Sequence, residues 1–402
     1  MLRINYNNHI KQTSNGVKKN KYTIGIDARM YGASQTGIGT YIEYLIKNLL
    51  EIDPVAQQVD YGAGQLNFYK IFLMEPEFGN FKISQENVEK IKVNSRWYGW
   101  REQLVFPWQI AREKIDLMHF PHFNVPVFYR GKFITTIHDL TPLYFPGRKM
   151  GGSWFRKKAF NFVFRNAAQK AEKIIAVSNY TKNDLMKNFS VDEEKIKVIY
   201  EGIKKLPNKN FVNLENYKIT KPYILYVGVW RQHKNLVGLI RAFDILVKKY
   251  NMDLQLVLVG SEDPYYPEIR KIWESLDLAD KIITPGFLSD DELANFYQNA
   301  ALFVIPSFAE GFGFVGLEAA MAGTPVVSSN VTSLPEILGE GAVYFAPYDV
   351  NDMAEKMRTV LLDANLRNKL IVKAYENLKK YSWQKMARET LELYRDALYL
   401  RG

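Results

Sequence analysis

The chain has 402 residues, more than one hydrophobic core usually serves, so two domains are expected. It contains no cysteine, which excludes a disulfide framework and a thiolate nucleophile. The formal net charge of +10 is compatible with nucleic acid, anionic lipid or phosphate-bearing ligands. Most of the excess lies between Arg148 and Lys173, where eight Lys or Arg residues accompany a single acid, Glu172.

Targeting and membrane-spanning signals are not evident in the sequence. No run approaches about eighteen uncharged apolar residues, so we expect no transmembrane helix. Residues 1–21 are polar and lack the apolar core of a secretory signal. We expect them to form a flexible lead.

The first half alternates between predicted strands and helices. Strand Tyr22–Asp27 is followed by a glycine-containing loop, Gly32–Gly39, and a helix, Thr40–Leu50. Further buried strands are predicted at Leu117–Phe120, Phe133–Ile137, Lys173–Val177 and Ile196–Ile199. Further helices are predicted at Trp154–Lys170 and Lys182–Phe189. Such alternation implies a parallel sheet with helices on both faces.

The alternation restarts after a polar stretch, Lys204–Lys221, which we interpret as a linker. Strands are predicted at Tyr223–Val227, Leu254–Val259, Lys281–Thr284, Leu302–Ile305 and Pro325–Ser328. Helices are predicted at Leu236–Lys249 and, amphipathic and last in the chain, at Trp383–Leu400. The expected fold is therefore α/β, with two Rossmann-like doubly wound parallel-sheet domains at residues 22–205 and 206–382 and a C-terminal segment at 383–402. Ligands of such sheets bind beyond the C-terminal ends of the strands.

The most informative segment runs from Glu310 to Glu318, shortly after a predicted strand. Gly311 and Gly313 let the backbone approach a ligand closely, and a helix begins near Phe314, where free amides form an anion site. Glu310 can reach a sugar, and Glu318 can accept hydrogen bonds from a vicinal diol. The alternative is an ordinary helix N-terminus with two surface glutamates.

A basic loop, Gly228–Asn235, follows the strand Tyr223–Val227. It carries Arg231 and Lys234, and a diphosphate leaving group needs such cations to stabilise its developing charge. The alternative is a solvated basic loop that opens a helix.

The first domain offers weaker motifs. Gly37 and Gly39 precede a predicted helix and could close on a phosphate or a sugar ring. His138 follows the strand Phe133–Ile137 and could act near a reacting carbon, with Asp139 to orient it. The alternative is a structural histidine whose hydrogen bonds are satisfied.

His119 and His122 flank Pro121 after another strand. Their spacing resembles that of two metal ligands, but no third ligand is evident. We favour a structural or acceptor-side role for them.

These residues resemble those of the retaining, two-Rossmann-domain (GT-B) glycosyltransferases of family 4, over about residues 22 to 395. The resemblance rests on Gly37-Ile38-Gly39, His138-Asp139, Val177-Ser178, Asp184-Leu185, Glu201-Gly202, Gly228 with Arg231 and Lys234-Asn235, Gly286-Phe287, Glu310 with Glu318, and Ser333-Leu334-Pro335-Glu336. One departure is that Glu201-Gly202 stands where Asn-Gly is frequent in the family.

The resemblance implies a nucleotide-sugar donor site in the second domain and an acceptor side in the first. Arg231 and Lys234 would hold the diphosphate, Glu310 the transferred sugar and Glu318 the ribose, with His138 beside the anomeric carbon. The other implied donor-binding residues are Gly37, Gly39, Gly228, Gly286, Phe287, Gly311, Phe312, Gly313, Phe314 and Leu317. The family retains anomeric configuration without a protein nucleophile, and its last helix often crosses back onto the first domain, which would suit residues 383–402.

The chain contains no Asp-x-Asp pair, the motif with which single-domain, metal-dependent sugar transferases usually hold a divalent ion. We therefore expect no metal and no further cofactor, with Arg and Lys in place of the ion.

The acceptor is inferred from a resemblance to bacterial enzymes of O-antigen and other surface-polysaccharide assembly. Many of these are mannosyltransferases that use GDP-mannose and act on lipid-linked glycans at the inner leaflet. Two stretches, Trp97–Lys114 and Trp154–Lys158, mix Trp with cations as membrane interfaces do. The alternative is a packed helix with a solvated basic face. We expect a cytoplasmic protein with peripheral contact to an anionic membrane.

Two other classes stay open. One is a soluble sugar synthase or phosphorylase of the same fold. The other is a non-enzymatic anion-binding protein with nucleic acid as its partner. The basic run contains no recognisable nucleic-acid module, so nucleic acid is not expected.

Overall fold

The computed structural model describes residues 22–32, 36–53, 67–83, 85–148, 154–207 and 212–399. The described residues form two parallel sheets, each packed between layers of helices. The lead expected at residues 1–21 lies outside the described residues.

In the described part of the first domain, the sheet has seven parallel strands in the order β3-β2-β1-β4-β5-β6-β7. The strands are β1 (Thr23–Asp27), β2 (Phe68–Leu73), β3 (Val88–Lys92), β4 (Leu117–Phe120), β5 (Phe133–Ile137), β6 (Lys173–Ala176) and β7 (Ile196–Val198). The helices are α1 (Thr36–Ile52), α2 (Glu77–Asn80), α3 (Trp100–Arg112), α4 (Thr141–Tyr144), α5 (Trp154–Lys170) and α6 (Asn179–Phe189).

The second sheet has six parallel strands among the described residues, in the order β10-β9-β8-β11-β12-β13. The strands are β8 (Tyr223–Val227), β9 (Gln255–Val259), β10 (Ile282–Gly286), β11 (Leu302–Ile305), β12 (Val326–Ser329) and β13 (Ala342–Phe345). The helices are α7 (Leu236–Lys248), α8 (Glu268–Ser275), α9 (Asp290–Asn299), α10 (Phe314–Met321), α11 (Leu334–Leu338), α12 (Val350–Leu362), α13 (Ala364–Leu378) and α14 (Trp383–Tyr399).

Both sheets reverse their strand order at one point. The first does so between β1 and β4, and the second between β8 and β11. Ligands of doubly wound sheets bind at such switch points, outside the carboxyl ends of the strands. The predicted α/β class with two doubly wound parallel-sheet domains is confirmed, and the loops after β8 and β11 lie at the second switch point.

The strands are buried because helices cover both faces of each sheet. Every residue of β4, β5, β9 and β11 is buried, as expected for central parallel strands. Their apolar runs explain why these four were predictable. The edge strand β3 (VEKIK) has one fully buried residue, Val88, and neither it nor β2 or β13 was predicted.

The last helix, α14, packs on the first domain although it follows the second in the chain. Its Trp383 stacks on Tyr44 of α1 with ring centroids 4.8 Å apart. The hydroxyl of the buried Tyr394 is hydrogen-bonded to Nδ1 of His119 in β4 at 2.7 Å. The helix therefore completes the core on one face of the first sheet.

Helix α1 begins at Thr36, four residues before the predicted start. Gly37 and Gly39 therefore lie in its first turn, and the prediction that they form a loop before the helix was wrong. The amides of a first helical turn have no partner within the helix, so glycine there leaves them accessible without ending the helix.

Candidate functional site

The loop after β8 and the loop after β11 are joined by an ion pair. Lys234 Nζ lies 2.6 Å from Glu310 Oε1, and the Ser307 hydroxyl donates to the same oxygen at 2.6 Å. Burial alone would raise the pKa of Glu310, but Lys234 and Ser307 outweigh it and hold that pKa below its ordinary value. Glu310 is therefore an ionised acceptor at neutral pH.

The backbone of Glu310 is fixed by the segment before α11. Glu310 N donates to Thr332 Oγ1 at 3.1 Å, and Ser333 Oγ donates to Glu310 O at 2.9 Å. Thr332 itself adopts a left-handed φ of 54°. The backbone of Glu310 is thus held at both its N–H and its C=O.

Asn235 connects the basic loop to the acidic one. Its side-chain amide donates to Pro306 O at 3.0 Å and to Pro347 O at 2.9 Å. Phe308 N also donates to His233 O at 2.7 Å. These bonds fix Lys234, which lies between His233 and Asn235, against the loop that carries Glu310.

The N-terminus of α10 opens beside this ion pair. Gly313 precedes the helix with φ 88°, a conformation that suits glycine. Phe314 begins the helix and faces Gly37, where an added Cβ would lie 3.5 Å from the Phe314 ring. The N-terminus of α10 therefore lies next to the first turn of α1, and the unpaired amides of a first helical turn are suited to an anion.

Arg231 is more loosely held than Lys234. Its side chain is 54% exposed, and Nε lies 3.7 Å from Asp263 Oδ2. At this exposure the ion pair restrains the guanidinium weakly. Arg231 is free to turn toward a ligand at the mouth of the cleft.

Glu318, one turn into α10, is half-buried beside Tyr297. Burial raises the pKa of Glu318, and the Tyr297 hydroxyl, which donates to Oε2 at 2.9 Å, partly offsets this. Leu317, next to it, is buried in the core beneath the helix, so that its side chain faces away from the cleft.

Gly286 is the last residue of β10, the edge strand of the same sheet, and Phe287 follows it. Gly286 has φ 80°, and no atom would contact an added Cβ. The side chain of Phe287 is 89% exposed. At Gly228, by contrast, an added Cβ would lie 2.8 Å from the hydroxyl oxygen of Tyr226.

His138, at the end of β5, has an oxygen beside each ring nitrogen. Nδ1 lies 2.9 Å from Glu201 Oε1, and Nε2 lies 2.9 Å from Pro121 O. Burial would lower the pKa of His138, but Glu201 and the Pro121 carbonyl hold it above its ordinary value. The Pro121 carbonyl can only accept, so Nε2 carries hydrogen, and a second hydrogen on Nδ1 would make the ring an imidazolium paired with Glu201. Burial raises the pKa of Glu201 as well.

The expectation that Asp139 orients His138 was wrong. Asp139 Oδ1 accepts from Thr141 N at 2.8 Å and so closes the turn that begins α4. An aspartate commonly accepts from the amide two residues later in the chain. The Asp139 carboxylate makes this local bond and is therefore not available to His138. Glu201, which follows β7, takes the orienting place.

The pair formed by His119 and His122 is not arranged as a metal site. The ring nitrogens of His119 are hydrogen-bonded to Tyr394 OH at 2.7 Å and to Thr136 Oγ1 at 2.9 Å. Burial lowers the pKa of His119 and of His122 to about 3. Within the described ranges no cluster of three or more His, Asp and Glu could hold a metal ion.

The two domains touch directly at Gly311. A Cβ on Gly311 would lie 2.2 Å from His138 O and 2.9 Å from Asp139 Cβ, and Ser178 Oγ donates to Gly311 O at 3.2 Å. Only glycine permits this approach. The end of β5 in the first domain is thereby held against the loop that carries Glu310.

Comparison with known protein families and their members identifies the class of the chain. The family described as "Glycosyl transferases group 1" matches residues 209–377, and "Glycosyltransferase Family 4" matches residues 83–205. An uncharacterized glycosyltransferase of Methanocaldococcus jannaschii is 30% identical over 300 residues, which cover 71% of this chain and 75% of that protein. The chain belongs to the group 1, family 4 glycosyltransferases.

Two further relatives of this glycosyltransferase have more specific names. O-antigen chain mannosyltransferase B of Escherichia coli is 27% identical, covering 72% of this chain and 76% of the relative. O-antigen chain mannosyltransferase RfbU of Salmonella typhimurium is 29% identical, covering 71% and 77%.

Solved structures show the same fold. Sucrose-phosphate synthase from Thermosynechococcus elongatus superposes with a TM-score of 0.73 at 20% identity, covering 94% of this chain and 99% of that one. Anabaena HepE, solved with UDP and glucose, superposes with a TM-score of 0.70 at 16% identity, covering 93% and 100%. The glycosyltransferase therefore has the GT-B fold that the sequence predicted.

A second contact between the domains of the glycosyltransferase involves Glu336, within the predicted motif Ser333–Glu336. Its carboxylate accepts from Asn179 N at 2.7 Å and from Tyr180 N at 3.0 Å, at the N-terminus of α6. The Tyr200 hydroxyl donates to it at 2.9 Å. A carboxylate of one domain thus caps a helix of the other.

Sequence reasoning missed the side chains that support the predicted ones. Ser307, Tyr297 and Thr332 each contact Glu310 or Glu318. Glu201 was noted as part of the family pattern and as a departure from it, but was given no role at the site. A polar residue two or three positions after a strand, as at Ser307 and Glu201, was the available signal. Tyr297 gave none, since it lies inside α9, away from the end of any strand.

Proposed function

We propose that this glycosyltransferase moves a mannosyl residue from GDP-mannose to a lipid-linked surface glycan, with retention of anomeric configuration. The names of the Escherichia coli and Salmonella typhimurium relatives support mannose as the sugar and a surface polysaccharide as the product class. Guanine as the base and the lipid-linked acceptor rest on the family resemblance.

The observation that carries the donor site is the contact between Lys234 and Glu310 at the N-terminus of α10. In the proposed complex Lys234 and Arg231 neutralise the diphosphate, and the free amides of Gly311 to Phe314 bind the phosphate or the sugar. Glu310 accepts hydrogen bonds from sugar hydroxyls, and Glu318 accepts them from the ribose. The glycine Gly39 of α1 lets a phosphate approach from the first domain.

In the proposed reaction the acceptor hydroxyl attacks the anomeric carbon from the face that the diphosphate leaves. The bond from that carbon to the phosphate oxygen breaks as the bond to the acceptor oxygen forms, and the departing phosphate oxygen takes the acceptor proton. Cations that contact the diphosphate stabilise the charge that develops on it. No protein nucleophile is required, and Arg231 and Lys234 supply the charge that a divalent ion supplies elsewhere.

His138 has a supporting role in this proposal. Its backbone carbonyl lies against Gly311, and its imidazolium places a positive charge at the end of β5, on the acceptor side of the cleft. We infer that the ring lies beside the anomeric carbon when the donor is bound.

Contact with the membrane is proposed to be peripheral. Among the described helices none combines the length and apolar character needed to cross a bilayer. A lipid-linked acceptor then has to be reached from the surface of the membrane.

The proposal is tested with the purified chain and a panel of GDP-mannose, UDP-glucose, UDP-N-acetylglucosamine and inorganic phosphate. We expect GDP-mannose to raise the melting temperature most, because a ligand that binds only the folded state stabilises it. With a lipid-linked acceptor in detergent, the anomeric proton of the product should show the configuration of the donor, and transfer should persist in EDTA. A preference for a UDP-sugar would overturn the mannose proposal, an inverted product would overturn retention, and phosphorolysis of a glycan would favour a phosphorylase.

A further inference from the structure

Helix α3 carries apolar residues on two opposite faces. Its inner face buries Glu102, Phe106 and Ile110. Its outer face exposes Trp100, Leu104 and Trp108, which recur every four residues and so align along one side of the helix. Their exposed fractions are 69%, 57% and 54%. Large apolar side chains aligned in this way usually mark an interaction surface.

The exposed stripe extends onto the loop after β4. Val127 N donates to Gln103 Oε1 of α3 at 2.8 Å, which places the neighbouring Phe128 beside the helix. Phe128 is 54% exposed. We call Trp100, Leu104, Trp108 and Phe128 the aromatic face.

Cations border the aromatic face. The Arg112 guanidinium lies 3.3 Å from the centroid of the Trp108 ring, and that of Arg101 lies 6.0 Å from the Trp100 ring. Lys170 Nζ lies 3.5 Å from Val127 O, next to Phe128. In the part of the chain that the structure describes, neither Arg101 nor Arg112 takes part in an ion pair with a carboxylate. The charge of this border is therefore free to act on an external partner.

We propose that the aromatic face docks on a membrane surface that contains anionic lipids. Trp and Phe side chains favour the boundary between headgroups and acyl chains, and Arg and Lys beside them bind headgroup phosphates. The positive border favours an anionic lipid surface as the partner. A second copy of the chain is disfavoured, because its Arg101 and Arg112 would repel those of the first copy.

The inner side of α3 links this surface to the acceptor side of the cleft. The buried Glu102 pairs with Arg29 at 2.7 Å and accepts from the Asn124 amide at 2.7 Å. Arg29 follows β1, and Asn124 follows β4, at the switch point of the first sheet. Helix α3 thus has the proposed lipid surface on its outer side and the switch point of the first sheet on its inner side. An acceptor anchored in the same membrane would reach the acceptor side of the cleft by passing this one helix.

The inference about the acceptor route rests on the proposed function, whereas docking itself is measured without transfer. The second stretch predicted to meet the membrane, Trp154–Lys158, lies largely outside the residues whose side chains the structure describes. It therefore plays no part in the proposal.

The test is flotation with vesicles of phosphatidylcholine alone or with phosphatidylglycerol, using the full chain. We expect binding only to the anionic vesicles, weakened about tenfold or more in the double variants Trp100→Ser/Trp108→Ser and Arg101→Gln/Arg112→Gln. The matched control is Leu362→Ser/Val372→Ser, which removes two exposed apolar side chains of the second domain and should bind as the wild type does. Vesicles with brominated acyl chains should quench tryptophan fluorescence in the wild type and not in Trp100→Phe/Trp108→Phe.

Equal flotation of the wild type and both double variants would overturn the proposal. So would a chain that is dimeric by light scattering, becomes monomeric in Trp100→Ser/Trp108→Ser and binds no vesicles. Transfer to a detergent-dispersed acceptor is measured alongside. Its loss in the wild type would count against the proposed function alone, because flotation does not depend on it.

Discussion

Lys234 Nζ lies 2.6 Å from Glu310 Oε1, although 76 residues separate the two along the chain. They follow β8 and β11, the strands that flank the switch point of the second sheet. The side chains are only 18% and 12% exposed. The pair therefore holds a negative and a positive group where a ligand of the sheet would bind, and its strength is measurable apart from any reaction.

Removing the amine of Lys234 leaves the largely buried Glu310 carboxylate with Ser307 as its one remaining side-chain partner among the described residues. We expect Lys234→Met to lower the free energy of unfolding by about 2 kcal/mol at pH 7. Because Lys234 holds the pKa of Glu310 below its ordinary value, this contribution is present above that ordinary value and is lost as pH falls through the lowered pKa. Urea unfolding of the wild type and the variant at several pH values checks this.

Glu310→Gln and the double variant Lys234→Met/Glu310→Gln complete a mutant cycle for that pair. The double variant should be less destabilised than the sum of the single changes, because it leaves no unpaired buried charge. Additive losses would show that the contact contributes nothing to folding.

His138 should be a cation near neutral pH, whereas the other described histidines should not. Burial lowers the pKa of His119 and His122 to about 3 and that of His233 to about 4. For His138, Glu201 raises the pKa above its ordinary value despite burial. Imidazole nitrogen NMR of labelled protein should show one doubly protonated ring that titrates above about pH 6.5.

Glu201→Gln should move that titration to lower pH, since the carboxylate is the main group that favours the imidazolium. The stability contributed by the pair is fully present below the ordinary pKa of histidine and is lost as pH rises through the raised pKa. The melting temperatures of the wild type and Glu201→Gln should therefore converge with rising pH. A neutral His138 ring in the wild type at pH 6 would contradict the assignment.

Gly311→Ala should separate the two domains at the cleft. Its Cβ would lie 2.2 Å from His138 O, a backbone atom that cannot turn away. We expect transfer to fall about a hundredfold, because small displacements of reacting groups cost that much. The circular dichroism spectrum should match that of the wild type, because both sheets stay folded.

The control for that change is Gly79→Ala in α2, where an added Cβ would meet only a side-chain oxygen of Glu75 at 3.5 Å. It should transfer at the rate of the wild type. Full activity in Gly311→Ala would show that the contact with His138 is not needed.

Glu318→Ala should weaken binding of the nucleotide, because the carboxylate is proposed to accept from the ribose. We expect about tenfold lower affinity for GDP by calorimetry. Tyr297→Phe removes the hydroxyl that donates to Glu318 and should have a smaller effect, since the carboxylate remains. Unchanged GDP affinity in Glu318→Ala would contradict the assignment of Glu318 to the ribose.

The elements around the candidate site were predictable because they are local. The apolar run Leu302–Ile305 became β11 with the predicted bounds, and α10 begins at Phe314 as expected. Glycines signalled the loop between them, since a backbone at φ 88°, as at Gly313, favours that residue.

Features that depend on distant residues were not predictable. Glu201 and His138 are 63 residues apart, and no local pattern joins them, whereas Asp139 was the nearest carboxylate in sequence and was chosen wrongly. The edge strand β3 was missed because it contains three charged residues and only Val88 is buried. Burial by the rest of the fold, which a local window does not contain, decided each of these cases.

The most direct test of the donor site compares the wild type with Glu310→Gln in transfer from labelled GDP-mannose to a lipid-linked acceptor. Gln keeps the shape of the side chain and removes its charge, so the fold should survive, with a circular dichroism spectrum like that of the wild type. We expect the wild type to transfer and the variant to be slower by a hundredfold or more, about the loss seen when one electrostatic contact to a transition state is removed. Turnover by Glu310→Gln at the rate of the wild type would contradict the assignment of the site.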